Sequence, residues 1–209
     1  MNSAKYDVKI FLDETSEVEP AEYIPVFHRW IQEQRLPELL IDVADYRHVH
    51  HGPGVVLVAH DGQYAMDAAE GRPGLLYSRR RETHASRAAL RGGEDRLRSV
   101  LHDALTACQY LESDPVFAGR LRFRGDELLL WCNDRLVPDT EETYAALAQH
   151  VAACAARLYP GQAVEVTRRS DRTGRVGVWV RAAGAPAVET LLARLGGAAM
   201  ASTNGVGHE

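Results

Sequence analysis

Lysine is nearly missing from this chain: Lys5 and Lys9 are the only two, and almost all of the positive charge is arginine. Alanine and glycine are plentiful at the same time, which marks a coding bias, so a single arginine here is weak testimony for an anion site. Cysteine is also scarce. Cys108, Cys132 and Cys154 are odd in number, far apart and set in apolar patterns, with no CxxC pair. That argues against a disulfide framework or a cysteine-based metal site and fits buried thiols in a reducing compartment. No apolar run reaches the roughly 20 residues of a membrane-spanning helix, and MNSAKYDVKIF has no signal-peptide core. The expectation is a soluble, cytoplasmic protein with no membrane partner.

The motifs of common chemistries are missing as well. There is no HExxH, no GxSxG elbow, no GxxxxGK or GxGxxG phosphate loop, and no RRM, KH or helix-turn-helix signature. A net charge of −5 and a pI near 6.0 argue against wholesale nucleic-acid binding. With 209 residues, 45% hydrophobic and 25% charged, the chain suits one substantial domain or two small ones.

What is present is an alternation of strand and helix signals. Residues 6–13 (YDVKIFLD) alternate as a strand, and an acidic turn leads to a helix over 24–34, where Phe27, Trp30, Ile31 and Gln34 recur at helical spacing. Strands follow at 39–49, 55–60, 63–68 and 75–79, with HGPG (51–54) as a loop and Asp61-Gly62 as a type I′ turn signal. Residues 80–93 read as an exposed connection. An amphipathic helix over 94–111 carries Leu97, Leu101, Ala104, Leu105 and Cys108 on one face. A hairpin of 120–123 with 128–133 turns at Gly125-Asp126, and a capping box of Asp139 and Glu142 opens an Ala-rich helix to about residue 159. A hairpin of 164–169 with 175–181 and a short helix over 186–195 precede a tail, 196–209, expected to be disordered. The fold class is α+β: antiparallel sheet built of hairpins with helices on one face, in a single domain over 1–195. Sub-lobes at 1–80 and 94–195 and an αββ duplication are compatible with that order.

Residues 39–69 gather four of the nine histidines onto two linked hairpins. If His51–Gly54 is the loop, His50 faces Val55 and Asp45 faces His60. Asp45, Arg47 and His60 then cluster on one face, where the aspartate would orient the imidazole and Arg47 would present its fork to an anion. A polar network that merely pins the strand explains the same residues. His48 and His50 fall on the other face with Asp42, a set that a zinc ion would accept only with a further ligand. The assignment is conditional on register, because a slip of one residue reshuffles both faces. No cofactor is predicted, and zinc is an alternative reading.

Two further segments carry charge. Between Arg79 and Arg98 stand seven arginines against three acids, led by Arg79, Arg80 and Arg81. This is an anion-binding candidate, though it has no aromatic residue for base stacking and reads equally as a solvated linker. Asn133, Asp134 and Arg135 follow a very apolar strand, where a structural turn is the simpler reading.

The run DVADYRHVHHGPGVVLVAH, followed by GRPGLLY, resembles a run in a family of bacterial proteins with no known activity. The resemblance covers the first 80 residues and, more thinly, ACQYLES and NDRLVPDTEETYAA. It implies one full-length family and brings no cofactor or catalytic residue. The leading expectation is a non-enzymatic protein that binds a protein partner, a second copy of itself or a small ligand. The alternatives are an enzyme or metal protein using Asp42 to His60, and an anion or nucleic-acid binder using Arg79, Arg80 and Arg81.

Overall fold

A computed structural model describes residues 5–80, 92–169 and 174–196. Arg81 and most of the arginine-rich stretch, residues 170–173 and the expected tail at 197–209 lie outside these residues. The strands are β1 (Tyr6–Leu12), β2 (Leu40–Tyr46), β3 (Gly54–Ala59), β4 (Gly62–Asp67), β5 (Gly74–Arg79), β6 (Phe123–Cys132), β7 (Val164–Arg168) and β8 (Gly177–Ala182). They form one antiparallel sheet in the order β2-β3-β4-β5-β1-β6-β8-β7. Among the described residues four helices pack against it: α1 (Tyr23–Glu33), α2 (Gly93–Glu112), α3 (Glu141–Leu158) and α4 (Val188–Gly196). The fold is α+β, as the alternating patterns predict.

The helical stripes explain the layer. α1 buries Tyr23, Val26, Phe27 and Trp30, and α2 buries Leu97, Leu101, Ala104, Leu105 and Cys108. They meet the inward positions of the sheet, Val8, Ile10, Val55, Leu57, Leu75, Leu128 and Leu130 among them, in one core. Full burial of each such side chain contributes about 1.5–3 kcal/mol. The opposite face of the sheet holds a smaller cluster of Phe11, Leu129 and Trp131, flanked by Leu76 and Trp179. Arginines cover it: the Arg72 guanidinium lies 3.9 Å from the Phe11 ring, and Arg181 lies 5.0 Å from Trp179. The three cysteines are buried and form no disulfide.

Several local expectations change. β6 continues through Gly125-Asp126 instead of turning back, with an irregularity against β1 there, since Ile10 pairs with Leu128 but Leu12 with Phe123. A Cβ on Gly125 would stand 1.7 Å from the Pro186 carbonyl oxygen, so this glycine admits a neighbouring chain, not a bend. The β3–β4 connection is His60-Asp61, with Gly62 already in β4, and neither residue has positive φ, so the turn is not type I′. Thr140, not Asp139, caps α3 by accepting from the Thr143 amide, because the Asp139 carboxylate accepts from Arg168 at 2.6 Å. Gln34 leaves the helical face and forms a left-handed C-cap at φ 49°.

Candidate functional site

The β2–β3 hairpin decides the fate of the histidine-rich segment. β2 ends at Tyr46, opposite Gly54, so the loop is 47–53 and Asp45 faces Val55. The strand stops there because the Asp45 carboxylate takes the Arg47 amide at 3.1 Å, in the manner of an Asx turn. Val49 N then donates to Tyr46 O, and Gly52 N to Val49 O, which winds the loop tight. Gly54 is required at its base. Its φ is +68°, and a Cβ would stand 2.0 Å from the Met66 carbonyl oxygen.

This register separates the expected triad. Asp45 and Arg47 do pair: Nε donates to Oδ1 at 2.9 Å and Nη2 to Oδ2 at 2.7 Å. These bonds hold the Asp45 carboxyl down to about 2. His60 stands five residues beyond Val55, about 17 Å along the strand, and its Nδ1 meets Asp61 Oδ1 at 2.8 Å instead.

The metal candidates do not converge either. Asp42 accepts from the Val43 amide at 2.8 Å, and the His50 and His51 rings lie 3.9 Å apart in the exposed loop. Among the described residues no group of three or more His, Cys, Asp or Glu side chains is placed to hold a metal ion.

Arg79 is not a surface anion site. It is buried, its Nη2 paired with Asp103 and its Nη1 donating to Ser99 Oγ at 3.0 Å. Tyr77 and Tyr64 stack beside it at 4.5 Å, and Tyr64 donates to Glu38. Burial raises the pKa of the Glu38 carboxyl. Arg80 is exposed and donates to Gln63 Oε1 at 2.5 Å. The third member of the group, Arg81, lies outside the described residues.

The loop that broke the triad instead walls a cleft of about 570 Å³ at one end of the sheet. Three stretches of chain meet there. The β1–α1 connection brings Leu12, Val18 and Pro20, the β2–β3 loop brings Tyr46, Arg47, Val49 and His51, and the β4–β5 turn brings Met66, Asp67, Glu70 and Pro73. The lining is chiefly apolar with a few polar groups, the usual makeup of small-molecule sites, which run roughly 300–1,000 Å³.

A buried charge network holds the wall of this cleft. Lys9, on the face of β1 that also carries Phe11, has no exposure. Its Nζ donates to Asp67 Oδ1 at 2.5 Å, to Ala69 O at 2.6 Å and to Arg72 O at 3.0 Å, so all three ammonium hydrogens are used. Glu70 sits at φ 62°, a strained conformation for a residue with a side chain, and accepts from Arg169 Nη2 at 2.5 Å. Both acids that line the cleft therefore face a nearby cation. Farther along β1, burial pushes the Asp7 carboxyl up to about 6, against hydrogen bonds from Ser78 and Asn133 and the nearby Arg175.

Sequence reasoning missed Lys9, Asp67, Glu70 and Arg169. One signal was available, since Asp7 and Lys9 alternate with Val8 and Ile10 in β1 and so share a face. Compared with protein-family models, curated proteins and solved structures, the chain matches none.

Proposed function

We propose that this protein binds a small organic molecule in the cleft between the β2–β3 loop and the β4–β5 turn, without transforming it. One observation carries the reading: an apolar concavity of about 570 Å³ whose wall is pinned from behind by a buried lysine. A buried ionic group contributes little net stability and is costly if it loses its partner. Here it holds the turn at 67–73 in one place, and preorganised walls favour binding. Ser16 and His51 both line the cleft, but the Ser16 hydroxyl donates to Arg122 O at 2.9 Å and accepts from Arg122 N at 3.0 Å, which favours binding over catalysis.

A protein partner or a second copy ranks behind this reading. β2 is an edge strand, and Leu39 and Ile41 are 58% and 53% exposed beside it. The β2–β3 register shifts between Leu40 and Asp42, and Asp42 and Asp45 charge the edge, two features that discourage strand addition. No helix among the described residues is long and apolar enough to cross a membrane. We place the protein in the cytoplasm on its cysteine usage.

The test is a thermal-shift screen of small, mainly apolar molecules, repeated on Ala68→Trp, which fills the cleft from an exposed position. Compounds that stabilise the parent should lose their effect on the variant. A screen with no stabilising compound, or shifts that Ala68→Trp leaves intact, would overturn the proposal.

A further inference from the structure

The polar groups of the cleft are unevenly distributed, and the distribution specifies a ligand. The two acids on the β4–β5 side are neutralised: Asp67 by Lys9 and Glu70 by Arg169. The walls between them are Leu12, Val18, Val49, Met66 and Pro73. The outer loop, residues 46–54, reads YRHVHHGPG and contains no acid, while Arg47 and His51 both line the cleft. Asp45, the partner of Arg47, does not line it.

The Asp45–Arg47 pair is about 39% exposed on both sides, and solvent-screened ion pairs of this kind are weak and readily shared. Asp45 occupies Nε and one hydrogen of Nη2. A guanidinium has five N–H donors, so Nη1 and the second Nη2 hydrogen remain for another acceptor. Asp45 thus orients a planar fork without exhausting it.

We propose that the cleft takes an amphipathic carboxylate, with its apolar body between the Val18, Met66 and Pro73 walls and its carboxylate on the outer edge of Arg47. This rests on the reading of the cleft as a ligand site. An oriented guanidinium suits a carboxylate through charge-assisted, paired hydrogen bonds, and an apolar tail displaces water from the walls. A neutral molecule of the same length gains only the second contribution. A cation with the same tail also gains only the second contribution, because Asp67 and Glu70 are already paired, and it meets the like charge of Arg47.

The experiment is a calorimetric titration at pH 7 with octanoate and with 1-octanol, on the parent protein and on Arg47→Gln. Arg47 is exposed, so the variant should fold, and its thermal melt checks this. Octanoate should bind the parent at least tenfold more tightly than 1-octanol. Arg47→Gln should erase that preference and leave 1-octanol unchanged. If neither probe binds, the cleft reading itself fails. If both bind the parent equally, the cleft stands and the carboxylate assignment is overturned. If octanoate is preferred and Arg47→Gln keeps the preference, the assignment to Arg47 is overturned.

Discussion

Lys9 Nζ stands 2.5 Å from Asp67 Oδ1, and the lysine has no solvent exposure. The contact joins the central strand of the sheet to the turn that walls the cleft, across 58 residues of chain. It couples the stability of the fold to the shape of the site.

Lys9→Met should therefore be among the most destabilising substitutions in the protein. It leaves the Asp67 carboxylate buried without its cation, a loss of about 3–5 kcal/mol. Lys9→Met with Asp67→Asn should be less damaging than Lys9→Met alone, because no uncompensated charge remains. Urea unfolding of the three proteins reads both effects. A loss below about 1 kcal/mol for the single variant would mean that the pair does not hold the turn.

Asp7 should make stability fall as pH rises through the weakly acidic range. Burial raises its pKa from 3.8 to about 6, so the folded chain holds this proton more tightly than the unfolded chain. Between about pH 4 and 6 the folded state carries the extra proton, stability drops with rising pH, and above that window the deficit is complete. Asp7→Asn removes the titration. It should match the parent near pH 4 and exceed it at pH 7.5 by up to about 3 kcal/mol, since each tenfold difference in proton affinity is worth about 1.4 kcal/mol. A variant less stable than the parent at pH 7.5 would contradict this.

Arg79 and Arg80 are neighbours in sequence with opposite expected behaviour. Arg79→Ala abandons a half-buried Asp103 and should cost about 2–3 kcal/mol. Arg80→Ala, at the surface, should change stability by less than about 0.5 kcal/mol. Thermal melts of the pair separate the buried role from the surface anion role that the arginine-rich sequence suggests.

Gly54→Ala should destabilise the hairpin and open the cleft. The left-handed backbone alone costs about 1–3 kcal/mol for a residue with a side chain. The contact of the new Cβ with the Met66 carbonyl adds to it. Amide exchange at Val55 and Met66 should accelerate by more than that at Val178 and Val180, which lie in the distant half of the sheet. Uniform acceleration would place the effect elsewhere.

Apart from β6, one strand where a hairpin is expected, the strand and helix order was legible from period alone, and so was the packing of helices against the sheet. The histidine hairpin was not. Its alternation favours a strand to Val49, but the Asp45 carboxylate captures the Arg47 amide and ends the ladder three residues earlier. That shift moves His60 away from Asp45. Gly125 misled in the same way, since a glycine marks a turn or a close approach with the same letter. The cleft itself is non-local. Residues 12–20, 46–54 and 66–74 meet only once β1 has inserted beside β5, a pairing no local pattern encodes. The alternation of Asp7 and Lys9 shows a shared face, but not that arginines and the 67–73 turn cover it.

The most direct test of the ligand site is a methyl NMR titration of the parent protein with octanoate. The account predicts saturable shifts at Leu12, Val18, Val49, Met66 and Ala68, with Val180 and Leu191 unmoved. Shifts that do not saturate, or that fall outside the cleft, would contradict it.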